Sequence, residues 1–302
     1  MKPSIFGMAV LSAFAMTALP AASNDVVKVG ITAEDDGAQA RINLSGKLRM
    51  LSQRIPSAAC HLASGVDAEG ATKLLTGASA EFEQILAGLE FGDDSLMIYG
   101  AEERRKTLAV IHDLRSKWEP MKTAAQKMAN GDPSQENTQT IINQNMAVLG
   151  SAKLLVAELV AQYSNPTAML QADSMLIDIS GRQRMLTQKM SKESCMLAAG
   201  YASADTQSDL EGTIQMFEVS LAALSEGMKE AGVNPPPSHQ IREGLRHVKM
   251  EYDLAKPTLN AILSGQNAST ADKASKFQVL NTTMSKMNDV VIMYTNTLRA
   301  GN

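Results

Sequence analysis

Apolar residues recur at three-to-four spacing through four successive long stretches of the chain, and that pattern predicts helices. The first is predicted from Thr32, which with Asp35 resembles a capping box, to about Ser64; Pro56 inside it removes a backbone donor and is expected to bend it. The second, about Glu69 to Glu90, carries Leu74, Leu75, Phe82, Leu86 and Leu89, and Phe91 to Gly100 reads as its connecting loop. A third is predicted over about Ala101 to Ala129, with Leu108, Ile111, Trp118 and Met121 on its apolar side. Asn130-Gly131-Asp132-Pro133 ends it, and a fourth follows through Ile141, Met146, Leu149 and Val156 to about Tyr163.

The same order then returns. Ile42 to Arg54 reappears as Ile177 to Lys189, each residue 135 positions on, and the register holds to Cys60 and Cys195, the only cysteines. Phe217, Leu221 and Leu224 repeat Phe82, Leu86 and Leu89; Tyr252 falls opposite Trp118; Met284 and Met287 fall opposite Met146 and Leu149. Gly232 to Ser238 is the matching loop, and Asn165-Pro166 is placed as the cap of the fifth helix. Register shifts fall mainly in loops, so this is an internal duplication. The predicted fold is all-α: two tandem antiparallel four-helix bundles related by a pseudo-twofold axis, residues 31–164 and 166–300.

Composition agrees with helices and narrows the setting. Charged residues make up 20% of the 302, aromatics are few and the net charge is -4, which gives no sign of a nucleic-acid partner. Lys2, the apolar stretch Ile5 to Leu19 and the small residues Pro20-Ala21-Ala22-Ser23 read as a signal peptide, residues 1–23, cleaved to release a periplasmic protein. An uncleaved anchor is the rival reading. No later segment reads as apolar enough to cross a membrane.

The duplicated segment splits into two stripes. Leu44, Leu48, Leu51, Ile55 and Leu62, with Ile179, Leu186, Met190 and Leu197 in the second copy, should enter each bundle's core; Gln183 is the exception. The other stripe holds Ser45, Gly46, Arg49, Ser52, Gln53 and Cys60, and in copy two Ser180, Gly181, Arg184, Thr187, Gln188 and Cys195. A face of glycine, hydroxyls, one arginine and a cysteine suits contact with its own copy. Two guanidiniums brought together there repel unless an anion lies between them, and a planar oxyanion fits their fork. The predicted ligand-binding residues are therefore Gly46, Arg49, Gly181, Arg184, Ser45 and Ser180. The competing reading pairs each arginine with an acid such as Asp35, Asp36, Asp173 or Asp178. Cys60 lies eleven residues after Arg49, and Cys195 after Arg184, about three helical turns, so a Cys60–Cys195 disulfide is expected if the arginines face the axis. Otherwise the cysteines are small buried apolar residues.

Other chemistry is thin. His61, His112, His239 and His247 are scattered, the nineteen methionines read as packing, and no metal or cofactor is expected. No paired carboxylates or nucleophile motif points to an enzyme, so no catalytic residue is assigned. Glu102-Glu103-Arg104-Arg105-Lys106 reads as a solvated helix start.

The duplicated motif resembles the one that opens the periplasmic sensor domains of NarX-type nitrate/nitrite sensor kinases and PilJ-type chemotaxis transducers. Copy one, Gly46-Lys47-Leu48-Arg49-Met50, is close to the nitrate-sensor form; copy two, Gly181 to Met190, is closer to the transducer form. The resemblance implies a four-helix sensor domain that dimerises through this helix, with Gly46, Arg49, Gly181 and Arg184 around one nitrate or nitrite. It implies a membrane-bound sensor or transducer as partner, and either a monomer acting as an internal pseudo-dimer or a homodimer. A ligandless helical adaptor of a chemotaxis or envelope complex is the alternative function.

Overall fold

The computed structural model describes residues 33–163 and 171–300. Residues 1–23, expected to be a signal peptide, and the expected caps at Thr32 and at Asn165-Pro166 lie outside the described residues. Eight α-helices fill the described part: α1 Ala33–Ala63, α2 Ala68–Phe91, α3 Arg105–Ala129, α4 Gln135–Tyr163, α5 Gln171–Ala199, α6 Thr206–Glu226, α7 His239–Leu263 and α8 Thr270–Ala300. In the first repeat α1 packs against α2 and α4, which lean on α3; in the second, α5 packs against α6 and α8, which lean on α7. The repeats meet where α1 lies along α5.

The duplication extends to the details of packing. Phe82 meets Trp118 at 4.3 Å between ring centroids, and Phe217 meets Tyr252 at 4.7 Å. Trp118 donates its indole N–H to Glu83, as Tyr252 donates its hydroxyl to Glu218 at 2.7 Å. Lys122 then lies 3.0 Å from Glu83, and Lys256 lies 2.8 Å from Glu218. Each bundle thus solves in the same way the problem of burying an aromatic with a polar tip.

The turn after the second helix is repeated as well. Gly92 and Gly227 end α2 and α6 at φ 85° and 83°, a conformation that glycine adopts without strain. A Cβ at Gly92 would stand 2.9 Å from the Gly100 backbone, because the loop folds back through the bridge between Asp93 and Ile98. Met228 and Val233 make the matching bridge in the second repeat.

Four expectations need correction. α3 begins at Arg105, and residues 101–104 are not helical. Glu102 is buried at 4% exposure, where its carboxylate accepts from the Tyr163 hydroxyl at 2.6 Å and lies 3.9 Å from the buried Arg41 guanidinium. Arg41 also donates to the carbonyls of Leu89 and Gly100 at 2.9 and 2.6 Å. Part of what reads as a solvated charge run is a clasp tying the end of α4 to the start of α1. Glu102→Ala should cost about 3 kcal/mol by stranding a buried guanidinium, read as a lowered urea midpoint.

α4 is, by length and composition, apolar enough to cross a membrane, with a mean hydropathy of 1.3 over its best window. This overturns the expectation that no segment after Leu19 is apolar enough. Here α4 is a bundle helix, its Ile141, Val148, Leu155 and Leu159 buried against α1 and α3. Met146, aligned above with a core position, is 49% exposed.

Candidate functional site

α1 and α5 run side by side in the same direction, since contacts between them advance together along both. Arg49 and Arg184 converge first; Ser57 then donates to or accepts from Ser191 at 2.8 Å; Cys60 and Cys195 come last. α1 passes through Pro56 unbroken, and the Ser52 carbonyl that the proline leaves without a helical donor accepts the Gln53 amide at 3.2 Å. The two cysteines form a disulfide with Cα atoms 6.2 Å apart.

At the upper end the glycines and arginines of both copies meet. A Cβ at Gly46 would lie 3.6 Å from Arg49 Nη2 and 3.8 Å from Arg184 Nη2; one at Gly181 would lie 3.7 Å from Arg184 Nη2 and 3.9 Å from Arg49 Nη2. Both guanidiniums therefore face the same narrow space between the helix backbones. Arg49 is 9% exposed and Arg184 3%, and the Nε of each is buried without a hydrogen-bond partner.

The charges around them are unequal. Arg49 reaches Asp178 across the seam, both terminal nitrogens lying 3.4 Å from one carboxylate oxygen, beyond the 2.7–2.9 Å usual for a charge-assisted bond. Asp178 is also engaged by Arg182 and is 38% exposed at its side chain. The position equivalent to Asp178 in the first repeat is Asn43, so Arg184 has no matching acid; its Nη1 donates to Asn288 at 2.7 Å. Burial, with the Arg49 charge adding to it, pushes Arg184 down to about 10. Burial also lowers Arg49, opposed by Asp178. The acid-bridge reading thus holds loosely for Arg49; for Arg184 no carboxylate lies within ion-pair distance among the described residues. Side chains of Asp35, Asp36 and Asp173 lie outside the described residues.

Ser45 and Ser180 are fully buried in the same band, but each hydroxyl donates to its own helix, to Ile42 at 2.8 Å and Ile177 at 3.0 Å. Their protons are spent on backbone carbonyls, so in this conformation they offer an anion no donor. The geometry brings together Gly46, Arg49, Gly181 and Arg184, and leaves the serines as spacers.

Below the arginines the seam holds further buried cations that the sequence reading missed. Lys192 donates to Gln53 and Asn145, both at 3.0 Å. Lys276, 2% exposed, donates to Ser194 at 2.7 Å, near His61, whose ring stacks on Phe277 at 4.0 Å. The only warning in the sequence is lysine at helix positions whose neighbours are core, such as Lys276 beside Phe277. Among the described residues no group of three His, Cys, Asp or Glu side chains could hold a metal ion.

Burial pushes Lys276 down to about 7 and Lys192 to about 8. Unfolded, both keep their protons to about 10.4, so above pH 7 the unfolded chain binds more protons and stability rises with pH. Burial and Lys276 hold His61 neutral, which acts in the same direction on the acid side. Unfolding free energy should therefore increase by about 4–5 kcal/mol from pH 6 to 9, and Lys276→Met should remove roughly half of that slope.

Residues 31–142 and again 167–277 match the PilJ family, described as the N-terminal domain of type IV pili methyl-accepting chemotaxis transducers. The chain belongs to the PilJ family. Each match spans the first three helices of its repeat and part of the fourth, so the motif helix that opens a PilJ domain is α1 in one copy and α5 in the other. Membership in the PilJ family gives the chain a sensory, signalling role, and the family is not a catalytic one. No curated protein matches the chain.

Proposed function

We propose that this tandem PilJ protein is an exported sensor that captures a small planar oxyanion, nitrate or nitrite, between α1 and α5 and reports it to a membrane-bound transducer. The observation that carries the reading is the convergence of two buried guanidiniums on the space between Gly46 and Gly181, where the nearby Asp178 carboxylate is loosely held by Arg49, shared with Arg182 and out of ion-pair reach of Arg184. An anion there accepts hydrogen bonds from both forks and cancels their mutual repulsion. Because the forks belong to different repeats, its arrival draws α1 and α5 together, and that shift is the signal. Secretion through residues 1–23 belongs to the same proposal.

One observation favours the adaptor reading: Asp178 already supplies part of the counter-charge, and the seam is otherwise well packed. Calorimetric titration with nitrate, nitrite, sulfate and chloride separates the two. Capture predicts heat with the planar anions that vanishes in Gly46→Ala, whose methyl would occupy the shared space at ordinary contact distance while leaving the fold intact. Silence with every anion leaves the adaptor.

A further inference from the structure

At the opposite end of the seam, about 16 Å from the arginines along the helices, a second feature crosses the two repeats. A cavity of about 250 Å³ opens between the C-terminal turns of α1 and α5 and the first turns of α8. Its charged lining consists of Lys273 and Lys276, and no carboxylate lines it. Asp67 and Asp272, on adjoining turns, are occupied in helix capping, by Gly70 N–H and by Ser269.

Two polar groups in that lining are incompletely satisfied. Lys276 carries three N–H donors, and its bond to Ser194 uses one; among the described residues no carboxylate lies within ion-pair distance. His61 Nδ1 lies 2.7 Å from the Ser57 carbonyl, which can only accept, so Nδ1 carries the proton and Nε2 presents a bare lone pair. That nitrogen is buried without a partner in a residue that is 1% exposed. An orphaned acceptor and an uncompensated ammonium beside one cavity both cost stability until something enters it. The rest of the wall is mixed: Val66, Ala198 and Ala199 are apolar, and Ser64, Tyr201 and Thr270 add hydroxyl groups.

We propose that this cavity binds a small 2-hydroxycarboxylate. Its carboxylate lies against Lys276 and Lys273, its hydroxyl donates to His61 Nε2, and its short carbon body packs on Val66 and the two alanines. The site is distinct from the arginine pair. It takes His61, Ser64 and Val66 from the first repeat, and Cys195, Tyr201, Lys273 and Lys276 from the second, so a guest there ties the repeats together beside their disulfide.

The test is thermal unfolding and calorimetric titration of the intact oxidised protein at pH 6 with lactate, propionate and lactamide. Lactate should raise the melting temperature by several degrees; propionate, lacking the hydroxyl, should bind at least about tenfold more weakly, and lactamide, lacking the charge, not at all. Lys276→Met should abolish the lactate response, and Ala199→Leu should do so without touching a charge. Arg184→Met should leave it unchanged, which separates failure here from failure of oxyanion capture. Equal responses to lactate and lactamide, a lactate response that survives Lys276→Met, or no response to any probe, leaving solvent as the only occupant, would each overturn the proposal.

Discussion

Arg184→Met should change stability and binding in opposite directions. The guanidinium is buried, has no carboxylate within ion-pair distance among the described residues, and shares its space with Arg49. Replacing an uncompensated buried charge with an apolar side chain of similar length removes a desolvation cost, commonly worth about 1–4 kcal/mol. Asn288 loses its donor in exchange, which returns about 1 kcal/mol or more, so the ligand-free protein should gain on the order of 1 kcal/mol. Oxyanion binding should fall by about 100-fold, because half of the charge-assisted fork is gone. At a nitrate concentration 100 times the dissociation constant, the wild-type protein gains about 2.7 kcal/mol, and the variant should gain almost nothing. Urea unfolding with and without nitrate reads both effects in one pair of experiments. A variant that is strongly destabilised without ligand would mark Arg184 as structural support instead, and the capture reading would fall.

Cutting the cross-link should have the larger effect on stability. Cys60 and Cys195 are 135 residues apart, so their bond closes most of one repeat into a loop. In the chain-entropy account a loop of that length contributes about 5 kcal/mol, and 2–4 kcal/mol is typical of measured bridges. The Cys60→Ser, Cys195→Ser double variant should lose about 4 kcal/mol, seen as a urea midpoint well below that of the oxidised wild type. Reduction should weaken the join between repeats more than either repeat's interior, because aromatic pairs such as Phe82 with Trp118 lie away from α5. Hydrogen exchange should then rise first in the lower turns of α1 and α5. Uniform loss of protection across both bundles would show that the repeats do not fold separately.

Most of the architecture is legible in the sequence, because helix cores announce themselves by period. Phe82, Leu86 and Leu89 recur 135 residues later at the same helical angle, and the structure buries both sets. The convergence of Arg49 and Arg184 was also legible, since glycine, arginine and cysteine on one face leave few uses other than self-contact. What stayed hidden depends on partners distant in sequence. Glu102 looks solvated beside Arg104 and Arg105 until Arg41 and Tyr163 are brought to it from 61 residues away on either side. Lys192 and Lys276 break the apolar pattern one residue at a time, which a periodicity reading averages away. Ser45 and Ser180 read as lining the anion site, yet a helical serine has a carbonyl three residues back within closer reach, and each donates there.

The exchange of Asp178 for Asn43 across the pseudo-twofold axis has a consequence for how such a seam can change over time. In an assembly of two identical chains, every mutation arrives in duplicate, so a carboxylate added for one arginine is added for the other and the charge balance moves in steps of two. Fusing the copies lets that balance be tuned singly. One guanidinium here leans toward an aspartate and the other toward an asparagine, which gives the two forks different strengths and any guest a preferred way round.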